Sequence, residues 1–143
     1  MRSAKSGQYP LGAVVVSGGK ILSRASTTLH KVPDPSAHAE MNAIREAAKK
    51  IRSRYLPGAW LYTTQEPCPM CTSVAIWAKM SGIVYGANMR DALRIFKEQK
   101  DKKFTWRQMK ISSRYVVSRG TPKLLLEPNF MRPKCWALYR LSK

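Results

Sequence analysis

Apolar residues follow two periods along this chain, one typical of β-strands and one typical of helices. The runs at residues 12–17 and 20–25 flank Ser17-Gly18-Gly19 and predict a β-hairpin. The pattern predicts three further strands, over residues 59–64, 82–86 and 114–118. It predicts helices over residues 38–54, 69–80, 91–100 and 131–141. This alternation predicts an α/β fold, a single three-layer domain over residues 1–143 with a central mixed β-sheet flanked by helices.

Two short motifs bring together residue types that bind zinc. His38-Ala39-Glu40 stands at the predicted start of one helix, and Cys68 and Cys71 stand at the start of the next. The two cysteines are three positions apart and therefore face one side of a helix that begins near Pro69. Helix N-termini carry partial positive charge, which favours thiolates. Three ligands leave one zinc position open, as catalytic sites do, and Glu40 remains as a free carboxylate.

Other readings of the same motifs are weaker. A Cys-x-x-Cys pair before a helix also occurs in thioredoxin-like redox proteins, but that reading leaves the histidine and glutamate unexplained. A structural zinc site would need His30 or Cys135 as a fourth ligand, and no sequence pattern places either residue near the motifs. His30 is expected to be solvated, and Cys135 to be a buried helical cysteine without a chemical role.

The motifs resemble the His-x-Glu and Pro-Cys-x-x-Cys signature of the cytidine and deoxycytidylate deaminase superfamily. Residues 34–41 and 63–71 are most similar to the branch that holds tRNA adenosine deaminases and bacterial guanine deaminases, and residues 9–14 look like its first strand. The resemblance implies a cytidine deaminase-like fold and one Zn²⁺ per chain, bound by His38, Cys68 and Cys71. It also implies that Glu40 is the catalytic proton shuttle.

The resemblance further assigns substrate contacts to Thr27, Ala39 and Pro67. In this branch an asparagine 11 residues before the zinc histidine typically contacts substrate, and this chain has Thr27 there. A hydroxyl cannot offer the paired donor and acceptor of an amide. Residues 88–94 also look more like relatives that act on free bases or nucleosides.

The resemblance carries two expectations about the whole protein. Relatives usually have a full helix before the first strand, whereas only residues 1–8 precede it here, so the N-terminal helix is expected to be truncated. Members of the family commonly dimerise, so a homodimer is expected. The sequence contains neither a signal peptide nor an apolar run of membrane-spanning length, which predicts a cytoplasmic protein with no membrane contact.

Positive charge is the second strong feature of the sequence. Its 26 lysines and arginines oppose 8 acidic residues and give a net charge of +18, a balance that attracts phosphate backbones. Trp106 and Arg107, with Lys102 and Lys103 nearby, are the candidate nucleic-acid contacts, because exposed aromatic rings among cations can stack on bases. The other explanation is a generally basic surface. Trp136 and Tyr139 have helical spacing and are expected in the core.

Motifs and charge together predict zinc-dependent hydrolytic deamination of a nucleobase exocyclic amine. The preferred substrate is an RNA-borne base, adenosine converted to inosine in tRNA, so the expected partner is tRNA or another single-stranded nucleic acid. One alternative is a deaminase of a free base or nucleoside such as guanine, cytosine or cytidine. Another is a catalytically silent RNA-binding homologue, against which the intact Glu40 argues.

Overall fold

The computed structural model describes residues 7–100 and 104–141, and five strands in these ranges form one mixed sheet. The strands are β1 (Gly12–Ser17), β2 (Lys20–Ser26), β3 (Trp60–Gln65), β4 (Gly82–Ala87) and β5 (Leu125–Glu127). Their order across the sheet is β2-β1-β3-β4-β5. Strand β1 pairs antiparallel with both β2 and β3, whereas β3, β4 and β5 run parallel. The parallel half places the ends of β3 and β4 at one edge of the sheet.

Four of the five helices in the described ranges lie at predicted positions: three are shorter than predicted, and the one predicted over residues 91–100 begins and ends two residues earlier. The helices are α1 (Ala39–Ile51), α2 (Pro69–Trp77), α3 (Met89–Glu98), α4 (Ser113–Ser118) and α5 (Arg132–Leu138), followed by a 3₁₀ turn at Tyr139–Leu141. Helix α1 was predicted to reach residue 54. It ends earlier because Arg52 adopts a left-handed conformation, with φ of 54°, and the N–H of Ser53 turns back to the carbonyl of Ala48.

Helices cover both faces of the sheet. Val15, Leu61 and Ile83 lie in register on one face and pack with Ala43 and the rest of α1 and α2 in the main apolar core. On the opposite face, a Cβ added at Gly86 would lie 2.2 Å from Sγ of Cys135, so a glycine is what allows α5 to approach β4. The predicted mixed sheet between helical layers is confirmed.

One predicted strand is wrong and one strand was missed. Residues 114–118 form helix α4, because the side chain of Ser112 accepts a hydrogen bond from the N–H of Tyr115 and caps a helical turn. The parallel partner of β4 on that side is instead Leu125–Glu127. The apolar run Tyr115-Val116-Val117 has strand propensity, but the capping serine decides the local structure.

Three expectations concern the limits of the chain. The single domain over residues 1–143 and the truncated N-terminal helix stay predictions, and residues 1–6 lie outside the described ranges. Across the described part of the chain, every helix is too short or too polar to cross a membrane.

Candidate metal centre and active site

The first half of the site is built at the start of α1. His38 is the residue before the helix, in an extended conformation with φ of −71° and ψ of 155°, and its carbonyl accepts the N–H of Asn42. Just before it, the carbonyl of Ala37 accepts the N–H of Thr28, which ties the end of β2 to this helix start. The backbone therefore places the imidazole of His38 at the N-terminus of α1.

The second half is built at the start of α2. Cys68 is extended, with φ of −68° and ψ of 169°, and Pro69 occupies the first helical turn, where its missing N–H costs no hydrogen bond. The hydroxyl of Thr72 donates to the carbonyl of Cys68 at 2.9 Å. Cys71 follows within the same turn and is fully buried, whereas Cys68 is half-buried. The two thiols, three positions apart, therefore lie on the same side of the start of α2.

Three potential ligand atoms form a nearly equilateral triangle. Nδ1 of His38 lies 3.8 Å from Sγ of Cys68 and 3.7 Å from Sγ of Cys71. The two sulfurs lie 3.7 Å apart. Tetrahedral zinc with bonds of about 2.3 Å to sulfur and about 2.0 Å to nitrogen would separate these atoms by about 3.5–3.8 Å. The residues therefore fit one zinc ion with an open fourth position, and within the described residues this is the one cluster with metal-binding composition.

The charges of the site already favour metal binding. The hydrogen bond between the two sulfurs lowers the pKa of the Cys68 thiol to about 4, while the same contact and burial raise the pKa of Cys71. The hydrogen bond with Cys68 raises the pKa of His38. The lowered pKa of Cys68 favours the thiolate, which is the form that binds zinc, and metal binding displaces the remaining protons.

Glu40 stands beside this triangle without belonging to it. Its Oε1 accepts a hydrogen bond from Oγ1 of Thr63 at 3.0 Å, and its Oε2 accepts one from Sγ of Cys71 at 3.8 Å. The side chain is buried, and desolvation raises the pKa of the carboxyl group. A raised pKa makes the carboxylate a stronger base, which suits a group that takes up and releases a proton.

Two of the three predicted substrate contacts are adjacent in the chain to metal ligands, and the third, Thr27, lies 11 residues before His38. Ala39 is the first residue of α1 and is fully buried, as is the side chain of Pro67 before Cys68. Thr27 follows β2, is 3% exposed, and donates its N–H to the carbonyl of Leu11. The Thr28–Ala37 hydrogen bond brings the segment containing Thr27 to the start of α1. Their contact with substrate stays a prediction.

The expectation that Trp106 is exposed is wrong. Its ring is 4% exposed, lies 5.2 Å from the Tyr9 ring and 4.7 Å from the Tyr139 ring, and donates Nε1–H to Oε1 of Gln99. Arg107 is also buried and donates to the carbonyls of Glu66, Met109 and Ile111. Three segments converge here and use both side chains in packing, so neither offers a free surface to nucleic acid. Lys102 and Lys103 lie outside the described residues.

Two further predictions concerned residues outside the site. His30 is exposed as expected, and its ring also packs against the rings of Tyr9 and Phe104. Cys135 is half-buried against Gly86. Neither residue belongs to the metal-binding cluster, which argues against a closed four-ligand site. Tyr139 is buried, as predicted, in a second apolar cluster that also contains Tyr9, Phe104 and Trp106. Trp136 is partly buried and packs against this cluster.

Three buried polar residues support the site and were not predicted from the sequence. Glu66 lies directly before the Pro67-Cys68 loop, is 4% exposed, and accepts hydrogen bonds from Met89 and Ser113. Thr63 supports Glu40, and Gln65 accepts from the hydroxyl of Tyr139 at 2.7 Å. Alternation along β3 places Thr63 and Gln65 on the same buried face as Leu61. Polar residues on the buried face of a predicted strand are the sequence feature that could have indicated these supporting residues.

The family of the chain follows from this site and from comparison with known proteins. Residues 1–87 match the family model of the cytidine and deoxycytidylate deaminase zinc-binding region. The chain belongs to this family. The match includes the metal ligands and Glu40, and it confirms the predicted recognition and the zinc-type cofactor.

Individual relatives are similar over the same part of the chain. A tRNA-specific adenosine deaminase of Aquifex aeolicus is 38% identical over 86 residues, which is 60% of this chain and 57% of that protein. A guanine deaminase of Bacillus subtilis is 41% identical over 83 residues, or 58% of this chain and 53% of that protein. The chain thus spans little more than half the length of these curated relatives.

Solved structures extend the comparison to the whole fold. A guanine deaminase from Nitrosomonas europaea superposes with a TM-score of 0.80 at 21% identity, covering 99% of this chain and 76% of that one. A structure from studies of A-to-I editing by tRNA:A34 deaminases superposes with a TM-score of 0.57 at 36% identity, covering 61% of this chain and 70% of that one. At this identity the first likeness concerns the fold alone, and it covers more of the chain than the part matched by the family model.

Proposed function

We propose that this chain catalyses the zinc-dependent hydrolytic deamination of a nucleobase exocyclic amine, with release of ammonia. The observation that carries the proposal is the triangle of His38, Cys68 and Cys71 with a buried, non-ligating Glu40 beside it. A site that used zinc only for folding would have no need of a buried, non-ligating carboxylate beside its ligands. A catalytically silent RNA-binding homologue would have no need of it either.

The roles of the residues follow from their positions. When bound, zinc would lower the pKa of a water molecule from about 15.7 toward 7. Glu40 would accept one proton of the water on a carboxylate oxygen and donate it to a ring nitrogen as hydroxide adds to the amine-bearing carbon. It would then take the second proton, from the added hydroxyl, and donate it to the amine, which leaves as ammonia while the carbonyl forms and the carboxylate is restored. Thr63 donates to Oε1 of Glu40 and fixes the orientation of the carboxylate while leaving Oε2 on the side of Cys71. Burial of Ala39 and Pro67 excludes water from the back of the site.

We infer an RNA-borne adenine as the preferred substrate, which yields inosine. Two observations support this choice. The 38% identical relative is named a tRNA-specific adenosine deaminase, and the net charge of +18 favours a polyanionic substrate over a neutral free base. A substrate with a backbone would be held by this charge as well as by the base pocket.

A free base is the second candidate substrate. The 41% identical relative is named a guanine deaminase, and residues 88–94 look more like relatives that act on free bases or nucleosides. Thr27 departs from both kinds of relative, since the whole branch of tRNA adenosine and guanine deaminases typically carries an asparagine there. A threonine hydroxyl offers a single donor, so it would recognise the base differently from an amide. Substrate identity therefore depends on the pocket around Thr27 as well as on charge.

One assay separates these candidates. Zinc-loaded protein is offered bulk tRNA, single-stranded DNA, and free guanine, adenine, cytosine and their nucleosides, and ammonia release is measured together with base identity by mass spectrometry. Inosine in tRNA alone supports the preferred substrate, and turnover of a free base alone supports the second. Glu40→Gln should keep zinc and lose turnover of whichever substrate reacts. Undiminished turnover in this variant contradicts the proposed role of Glu40.

Two properties of the whole protein stay proposals. The homodimer common in this family and a cytoplasmic location remain expectations from the sequence. Sedimentation velocity of the purified chain tests the first, and fractionation of the source cells tests the second.

A further inference from the structure

Helices α2 and α4 border a surface cleft with a volume of about 590 Å³ that the proposed reaction does not use. Three aromatic side chains line this aromatic cleft, namely Tyr55, Trp77 and Tyr115. Trp77 is 80% exposed and Tyr115 is 54% exposed. Burying a tryptophan is ordinarily favourable, so a side chain this exposed at the wall of a cleft marks a surface for a partner.

Cations stand against the rings of the aromatic cleft. Nζ of Lys79 lies 4.4 Å from the centre of the Tyr55 ring, and Cζ of Arg54 lies 4.7 Å from the same ring. Cζ of Arg119 lies 5.5 Å from the centre of the Tyr115 ring. Lys79 and Arg119 also line the cleft itself. Aromatic rings paired with cations in one groove are the combination that proteins use for unpaired bases and their phosphates.

The aromatic cleft begins next to the metal centre. Pro69, which follows the ligand Cys68 in the chain, is one of its lining residues. Ile111 is another, and two residues later Ser113 donates to the carboxylate of Glu66 before the Pro67-Cys68 loop. Two lining residues are therefore connected to the metal-binding loop within one or two positions of the chain. A chain lying in the cleft would run toward the site.

Charge indicates which class of partner fits. The described residues that line the cleft include two cations and no aspartate or glutamate. A second copy of this chain has a net charge of +18 and brings no excess of anionic groups to pair with Lys79 and Arg119. An apolar protein surface would leave Lys79 and Arg119 without anionic partners. A single-stranded polyanion with flat bases satisfies both the rings and the cations.

We propose that the aromatic cleft binds single-stranded RNA beside the metal centre. Bases stack on Trp77 and Tyr115, and Lys79 and Arg119 contact phosphates. The choice of RNA over another polyanion rests on the proposed function, whereas the location of the surface does not. The cleft would guide the nucleotides that flank a reacting base, so its contacts belong to substrate binding and leave the chemical step to Glu40 and the metal.

The test is direct binding of a labelled oligouridylate of about 12 nucleotides to the zinc-loaded full chain, followed by fluorescence anisotropy. This probe lacks an exocyclic amine and cannot be deaminated. Stacking worth about 1–3 kcal/mol per base predicts that Trp77→Ala weakens binding about 5-fold to about 150-fold, whereas Trp77→Phe keeps most of the affinity. Phe130→Ala is the matched control, because Phe130 is 52% exposed and does not line the cleft.

Salt dependence checks the contribution of the cations. Arg119→Gln should lower the slope of log affinity against log salt concentration by about 0.7, the value for one phosphate contact on a single strand. Arg24→Gln removes the same charge from exposed β2 and should leave the slope unchanged. If the salt slope fell equally in the two variants, the cations would act through overall charge and not at a defined site. This result would overturn the proposal.

Other outcomes separate the cleft from the proposed function. Glu40→Gln should bind the oligouridylate like the wild type. If no nucleobase is deaminated but Trp77→Ala still weakens binding, the proposed function fails and the cleft stands. If Trp77→Ala and Tyr115→Ala both bind like the wild type, the cleft proposal fails whatever the activity. If Trp77→Ala instead turns a dimer into a monomer in sedimentation and leaves RNA affinity unchanged, the cleft is an interface between copies and the proposal is wrong.

Discussion

Oε1 of Glu66 accepts hydrogen bonds from both the backbone N–H and the hydroxyl of Ser113, at 2.8 and 2.9 Å. Oε2 of the same carboxylate accepts the N–H of Met89 at 2.7 Å, and its backbone carbonyl accepts Nη1–H of Arg107 at 2.8 Å. Ser113 and Arg107 lie beyond residues 1–87, the part that matches the family model. The C-terminal third of the chain therefore holds the residue that precedes the metal-binding loop, and the loop and this segment form one unit.

Removing the Glu66 carboxylate should loosen this unit. In Glu66→Gln the amide nitrogen must face one of three donors, so at least one buried N–H or O–H loses its acceptor. We expect the free energy of unfolding of the zinc-loaded protein to fall by about 1–3 kcal/mol. Urea titration followed by tryptophan fluorescence measures the change.

Ser113→Ala is the graded control for this variant. It removes the hydroxyl donor and leaves the N–H of residue 113 bonded to Glu66, so we expect a loss of only about 0.5–1.5 kcal/mol. The double variant should lose less free energy of unfolding than the two single variants together, because both substitutions act on Oε1. A Glu66→Gln protein as stable as the wild type would show that the carboxylate does not hold the loop.

The ligand set predicts a sharp difference between cysteines. Cys68→Ala removes one corner of the triangle of metal-binding atoms, and we expect it to lose zinc and stability together. Cys135→Ala is the matched control, since Cys135 packs against Gly86 outside the metal-binding cluster and should leave one zinc per chain. Metal content by mass spectrometry after dialysis checks both. Stoichiometric zinc in Cys68→Ala would show that the ligand set is wrong.

Thr63 should act on turnover through Glu40 without touching the metal. Thr63→Val keeps the shape of the side chain but removes the hydroxyl that donates to Oε1 of Glu40 at 3.0 Å. A hydrogen bond to a charged group contributes about 1.5 kcal/mol or more, so kcat should fall about tenfold. Zinc content and KM should stay close to those of the wild type, and Thr63→Ser should restore kcat. A change in KM alone would assign Thr63 to substrate binding.

The local parts of the site could be predicted from the sequence. His38, Cys68 and Cys71 are brought together by helix starts and by the spacing of three within one turn, and both features are readable over a few residues. Glu40 follows from the same motif. The triangle of ligand atoms also depends on the pairing of β1 with both β2 and β3, because α1 follows β2 and α2 follows β3.

The parts that sequence reasoning missed depend on distant contacts. Trp106 stands in a polar, lysine-rich stretch that predicts exposure, but Tyr9, Gln99 and Tyr139 surround it from three separate segments. The donors of Glu66 lie 23 and 47 positions further along the chain. No period or motif encodes contacts at such separations. The Tyr115-Val116-Val117 run was misread for a different reason, since a single capping serine outweighed strand propensity.

The last prediction concerns an ion pair that holds α5 to the rest of the fold. Nε and Nη2 of Arg132 donate to the two carboxylate oxygens of Asp91 at 2.8 and 2.7 Å, and Asp91 also completes a capping box with Asn88 at the start of α3. The side chain of Asp91 is 9% exposed and that of Arg132 is 48% exposed, so the pair is only partly screened by solvent. The hydrogen bond with Arg132 lowers the pKa of Asp91 below its ordinary value of 3.8.

The sign of the pH dependence follows from this shift. A carboxyl group with a lowered pKa in the folded state stabilises the protein fully above its unfolded pKa, and the stabilisation is lost as the pH falls through the folded pKa. Asp91→Asn should therefore be less stable than the wild type at pH 6, by about 1–3 kcal/mol, and the difference should shrink below pH 3.8. Urea titrations of both proteins between pH 2 and pH 6 in about 0.1 M salt measure it. A difference that stays constant over this range would mean that packing of the cap, and not the charge of Asp91, stabilises the junction of α3 and α5.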